Sequence, residues 1–194
     1  MIAGLFEAAA AVVGGTLTAL EQIIEGRARR AFVPIGGLHH AGREHAAGFC
    51  VFNDCGIAAE VLRRRYGVRK IAYVDIDAHH CDGVAVAFEG SRAVRMISVH
   101  EAGRWPFTGA AEDDAGGAAV NLPVPKGFND SEYALLLNEV ILPAVEAFRP
   151  DAIFLQCGAD AVTEDPLSRL ALSNRSHWRT VEALRPMSPR LIVS

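Results

Sequence analysis

Residues 73–83 read YVDIDAHHCDG and place three carboxylates (Asp75, Asp77, Asp82) and two histidines (His79, His80) directly behind an apolar run at 70–74. Taking so many ionisable groups out of water costs several kcal/mol unless something compensates, and a divalent cation does so effectively. Asp77 and His79 offer one oxygen and one nitrogen, a set that suits zinc or iron. Asp160, in CGAD behind another apolar run, can supply a third ligand. Three protein ligands leave a position open for water, which is the catalytic rather than the structural arrangement. That set is complete without Cys81. Asp75, Asp77 and His79 share strand parity, so they would face one side if the strand ran that far.

A second group lies upstream. His39 and His40 follow Gly36-Gly37, a pair that allows close backbone approach to a ligand. With Asp75 and Asp82 unassigned, two His–Asp dyads can form. A carboxylate accepting from one imidazole nitrogen fixes the tautomer and raises the basicity of the other. One histidine could then take a proton from a water whose pKa a zinc ion lowers to roughly 7. Phe49 and Trp105 stand in glycine- or proline-bearing loops beside these clusters. They are candidate walls of a substrate channel, with core packing as the alternative.

The elements that must position these groups alternate. Apolar runs at 31–35, 71–76, 94–99, 152–156 and 190–193 read as strands. Helices are expected over 53–66 (capped by Asn53 or Asp54, closed by Gly67), from Asn129 or Asp130 toward Phe148 with an interruption at Pro143, and from Ser173 to Leu184. Residues 103–120 read as a long loop. The strand runs are continuously apolar rather than alternating, which predicts an α/β fold with a parallel sheet covered by helices on both faces. Ligands of such sheets bind beyond the carboxyl ends of the strands, where the clusters at 36–40, 75–82, 98–100 and 157–160 all fall.

The chain of 194 residues fits a single domain, and a net charge of −4 favours neither nucleic acid nor an acidic membrane. Two short basic runs, RARR (27–30) and RRRYGVRK (63–70), read as solvated helix ends. The four cysteines form no CxxC pair and no signal peptide precedes them, which suggests a reduced, cytoplasmic setting. The apolar stretch 2–20 carries Glu7, Gly14, Gly15 and Thr16 and reads as a helix packed on the sheet rather than a membrane span.

GGLHHAGREHAAGFCVFND (36–54), YVDIDAHHCDGV (73–84), ISVHE (97–101) and QCGADAVTEDPLSRLALS (156–173) together resemble the histone deacetylase superfamily. With RWPFTGAAEDD (104–114), the chain is most similar to the bacterial acetoin-utilisation branch. The resemblance implies an arginase/deacetylase-like fold and zinc-dependent hydrolysis of an N-acetyl amide on a lysine or polyamine-like substrate. It implies Asp77, His79 and Asp160 as Zn²⁺ (or Fe²⁺) ligands and His39 and His40 as tandem catalytic histidines. Asp75 would partner His39, and Asp82 would partner His40, the base. Gly48 and Phe49 would line the acetyl-lysine channel. Asp75, Asp77, His79, Ser98 and Val99 would hold a monovalent cation, usually K⁺. Two departures stand out. Cys81 replaces a family glycine, with altered backbone geometry expected. The family also has strands ahead of this segment and, after the strand at 190–193, a glycine-rich loop whose tyrosine stabilises the oxyanion. Tyr66, Tyr73 and Tyr133 match no such position. The chain therefore reads as a domain truncated at both ends, weakly active and prone to form homo-oligomers. Two alternatives are a catalytically silent metal- or acetyl-lysine-binding fragment and an arginase-like ureohydrolase. The second lacks the further aspartates that two manganese ions require.

Overall fold

The computed structural model describes residues 3–194. Its elements run α1 (Leu5–Ile24), β1 (Arg30–Phe32), α2 (Asp54–Arg64), β2 (Ile71–Asp75), α3 (Asp82–Ala87), β3 (Val94–Glu101) and β4 (Ala119–Val124). There follow α4 (Asp130–Leu136), a π turn (Leu137–Ile141), α5 (Leu142–Phe148), β5 (Ala152–Gln156), α6 (Asn174–Leu184) and β6 (Leu191–Val193). All six strands are parallel, in the order β1-β6-β5-β2-β3-β4.

The continuous apolar strands have two covered faces. Tyr73 of β2 and Phe154 of β5 pack on one side with Leu20, Ala58, Leu62 and Val84 from α1, α2 and α3. Their neighbours Ala72, Val74, Ile153 and Leu155 pack on the other, with Tyr133, Val145 and Leu184 from α4, α5 and α6. Strand residues one apart point to opposite faces, so a strand buried on both has no polar positions to alternate. Helix α1 does lie against this core, through Leu20 and Ile23, while Ile2 falls outside the described residues. No described helix is long and apolar enough to cross a membrane.

Three local departures from the sequence expectation have simple causes. The helix at 130–148 is interrupted before Pro143 rather than at it. A π turn ends at Ile141 and the backbone stays helical into α5, so the wider turn just ahead of Pro143 accommodates a residue that lacks the N–H of a regular turn. Residues 119–124 form a strand that the sequence reading left unassigned, its first two residues falling within the loop expected over 103–120. Pro123 hid it, and an edge strand bonded only to β3 tolerates a proline. Finally, β2 stops at Asp75, so strand parity cannot be what brings Asp77 and His79 together.

From β2 the chain steps outward to β3 and β4, then returns to β5 on the other side of β2 and continues outward to β6. The loops after β2 and β5 thus leave in opposite directions and open a crevice between them, the topological switch point where open α/β sheets bind ligands.

Candidate metal centre

At that crevice the β2 loop folds back through its own side chains. Asp77 N donates to Asp75 Oδ1 at 3.1 Å, and His79 N donates to Asp77 Oδ1 at 2.8 Å. These two turns place Asp77 and His79 side by side without extended backbone. Asp160 arrives from the end of β5, with its Oδ1 accepting from Ala78 N at 3.0 Å. His79 Nδ1 lies 2.7 Å from Asp160 Oδ2 and 3.2 Å from Asp77 Oδ1. Gln156 Nε2 donates to Asp77 Oδ2 at 2.9 Å and so orients that carboxylate. Gly158 is required here, because a Cβ at that position would fall on the Asp77 carboxylate.

The electrostatics set two close carboxylates in competition for neighbouring positive charge. Burial works against charge on Asp77, but the neighbouring His39 and hydrogen bonds from His79 and Gln156 hold it well below the usual carboxylate range. Burial raises Asp160, and the adjacent Asp77 adds to the shift against the hydrogen bond from His79. Hydrogen bonds that its ring donates to Asp160 and Asp77 raise His79 to about 9. One nitrogen and two carboxylate oxygens within 4.8 Å of one another fit a divalent ion. Among the described residues no other group of His, Cys, Asp or Glu is so arranged. That finding disfavours the two-metal ureohydrolase reading.

Both His–Asp dyads are present. His39 Nδ1 lies 2.7 Å from Asp75 Oδ2, and His40 Nδ1 lies 2.7 Å from Asp82 Oδ1. The Nε2 atoms of the two histidines are 2.9 Å apart. Burial opposes a charge on His39, but Asp75 and Asp77 outweigh it and raise this histidine to about 9. With Nδ1 against Asp82, His40 turns its Nε2 toward His39 and the cavity. Asp75 is fully buried, with Oδ2 accepting from the Tyr73 hydroxyl as well as from His39.

A cavity of about 530 Å³ opens over these groups, lined by His39, His40, Gly48, Phe49, Asp77, His79, Trp105, Asp160 and Leu167. Gly48 and Phe49 occupy a two-residue turn closed by Ala47 and Cys50, which bond each other in both directions. Both have positive φ (51° and 61°), as a type I′ turn requires. A Cβ on Gly48 would collide with the His40 ring and the Trp105 indole, so only glycine lets the three pack. The Phe49 ring is fully exposed, whereas Trp105 stands edge-on to His40 with ring centroids 4.6 Å apart. Neither aromatic is core packing.

The chain's motifs match known proteins at this point. A sequence model of the histone deacetylase domain matches residues 1–193. The chain belongs to the histone deacetylase family. It is 37% identical over 177 residues to the acetoin utilization protein AcuC of Bacillus subtilis (strain 168), covering 88% of this chain and 46% of that protein. It is 39% identical over 170 residues to histone deacetylase 8 of Xenopus laevis, covering 84% and 52%. With histone deacetylase clr6 of Schizosaccharomyces pombe it shares 35% identity over 194 residues, covering 97% and 47%. The chain thus spans about half the length of these curated relatives, and the sheet described above is the part of the deacetylase fold it contains.

Two neighbouring backbone positions bear on the site. Cys81 has φ −77°, an ordinary conformation that any residue adopts without strain. Burial pushes its thiol well above the ordinary range, and it remains outside the ligand group. Gly36-Gly37 approach a neighbour as well as the cavity, since Gly37 N donates to Asp54 Oδ2 at 3.3 Å.

Sequence reasoning missed several positioning residues. Asn53 and Asp54, expected only as helix caps, fasten the histidine loop to α2. Asn53 Nδ2 donates to His39 O and Ala41 O, and the buried Asp54 accepts from Leu38 N and the Thr16 hydroxyl. The signal was their adjacency to a cysteine- and glycine-bearing helix start, but a cap and a clamp look alike in sequence. His80 and His100 were also unassigned. Burial, with His100 beside it, lowers His80 to about 4, and burial likewise lowers His100, so both rings are neutral near pH 7. His80 Nδ1 bonds the Thr108 hydroxyl, and His100 Nε2 donates to Gly109 O.

Proposed function

We propose that this chain carries the metal centre and the proton-transfer histidines of a zinc-dependent amide hydrolase acting on acetyl-lysine-type or acetylated amine substrates. The observation that supports it most is the position of Asp77, His79 and Asp160 beside two His–Asp dyads, at the base of a cavity walled by Phe49 and Trp105. A bound Zn²⁺ (or Fe²⁺) would polarise the amide carbonyl and acidify water. The remaining work belongs to the chain. His40, held by Asp82, accepts the proton of the attacking water at Nε2 and returns it to the leaving amine. His39, charged against Asp75, offsets negative charge that develops beside it. Phe49 and Trp105 flank the substrate's alkyl chain and exclude water.

We further propose that Asp75, Asp77, His79, Ser98 and Val99 hold a monovalent cation such as K⁺, a reading supported by the pairing of Asp75 with Ser98 in register on β2 and β3. The four cysteines are all free thiols, in keeping with a cytoplasmic setting. The assay is hydrolysis of an acetyl-lysine peptide by zinc-loaded protein, abolished by a chelator and restored by zinc. Hydrolysis that persists undiminished after complete metal removal would defeat this reading.

One observation favours a second reading, acetyl-lysine binding without turnover. Tyr73 and Tyr133 are buried and bonded to Asp75 and Thr180, and no tyrosine is among the residues lining the cavity. Loss of one oxyanion donor costs ~10²–10³ in rate, so peptide binding with turnover reduced by that factor is the outcome that separates the two.

Self-association is a further expectation. Phe32 on the edge strand β1 and Trp178 line the same surface pocket and are each more than 60% exposed, as is Ile35, which favours contact between copies. Sizing chromatography should show oligomers that Phe32→Glu disperses, and a strictly monomeric wild type would contradict it.

A further inference from the structure

The Trp105 wall is fastened to the opposite lip of the cavity by a single charged clasp. Glu101, the last residue of β3, is nearly buried and accepts from Arg104 Nε at 2.6 Å and from Arg169 N at 2.9 Å through the same oxygen, Oε2. Arg104 Nη2 in turn donates to Leu167 O at 2.6 Å. Arg104 therefore joins the segment bearing Trp105 to the segment bearing Leu167, and both residues line the cavity. The Leu167 side is braced independently. Asp165 Oδ1 accepts from Leu167 N and Ser168 N, and Gly127 N donates to Arg169 O. The Trp105 side is pinned again beyond the indole by the His80–Thr108 and His100–Gly109 bonds.

Charge-assisted hydrogen bonds at these lengths are the strong kind, and the guanidinium supplies them to two acceptors at once, Glu101 largely shielded from water and Leu167 O at the exposed rim. By contrast, Phe49 on the third side makes no such tie and is fully exposed. The cavity mouth thus has two walls set at a fixed separation and one left free.

We propose that Arg104, acting through Glu101, is a positioning residue that sets the gap between Trp105 and Leu167, and with it the channel's preference for a slim, unbranched acylated alkylamine over bulkier acyl groups. This rests on the reading that the cavity receives the substrate's acylated side chain. No group of the clasp touches the metal ligands or the reacting atoms.

The experiment has two arms. The chain holds two tryptophans, so Trp178→Phe leaves Trp105 as the only indole. In that background Arg104→Met should shift Trp105 emission to the red and raise its quenching by acrylamide, with zinc content unchanged. Arg104→Lys, which keeps the charge but not the fork, should fall between, and Glu101→Gln should move the signal the same way with less disturbance of volume. Unchanged emission and quenching in both Arg104→Met and Glu101→Gln, at full zinc content, would overturn the clasp. In the second arm, with acetyl-lysine and butyryl-lysine peptides, Arg104→Met should raise KM for acetyl-lysine about tenfold with little change in kcat, as lost positioning of the bound chain predicts. It should also narrow the gap between the two peptides. An unchanged preference with a loosened Trp105 would overturn the specificity role. A wild type that binds neither peptide, yet shows the fluorescence response, would overturn the assignment of the cavity to acyl-lysine and leave the clasp standing.

Discussion

Asp160→Ala should strip the protein of its metal. The variant removes one of three ligand atoms and leaves Asp77 and His79 facing each other across a gap that two groups cannot close. Loss of an outer partner of a metal ligand already costs ~10–100-fold in affinity, so loss of a ligand itself should cost at least ~10². Asp77→Ala should behave alike. Gln156→Ala, which removes only the amide that orients Asp77, should weaken binding within that smaller range. Metal analysis of the purified variants after dialysis reads all three, and circular dichroism checks that the sheet is intact. Undiminished metal content in both aspartate variants would sink the ligand assignment. A loss confined to Gln156→Ala would point to a different centre.

The second large effect belongs to His40. In zinc-loaded protein, His40→Ala should lower kcat on an acetyl-lysine peptide by at least ~10², because the proton acceptor for water is gone while the metal and the channel remain. The hydrogen-bond order predicts a graded series. Asp82→Asn should have a smaller effect of the same kind, since Asp82 fixes the His40 tautomer from 2.7 Å. His39→Ala should act mainly through lost charge beside the site. Its 2.9 Å contact with His40 makes the double variant non-additive, so a cycle of the two singles and the double tests whether they act as a unit. Near-normal turnover in His40→Ala would show the base to be elsewhere.

Much of this was legible from sequence because the physics is local. A strand buried on both faces must be apolar throughout, so the runs at 71–75 and 152–156 declared a covered parallel sheet before any coordinates. The rule that parallel sheets bind ligands beyond their carboxyl ends then gathered His39, His40, Asp75, Asp77, His79 and Asp160 from across the chain. Caps such as Ser173, and Asn129 from the pair Asn129 or Asp130, were equally local.

What the sequence could not carry depends on which groups meet after the chain has crossed the sheet. Strand parity gave the right partners for Asp75, Asp77 and His79 by the wrong route, since β2 ends at Asp75 and side-chain-capped turns do the aligning. β4 was invisible because edge position, a tertiary property, is what excuses Pro123. The clamps were invisible for the same reason. Thr16 meets Asp54, Gln156 meets Asp77, and Arg104 meets Leu167 O across separations of 38, 79 and 63 residues. Residue types and short spacings fixed the chemistry available to this protein. The order of strands decided which of those residues share a crevice, because hydrogen bonds act over a few ångströms of space and not over sequence.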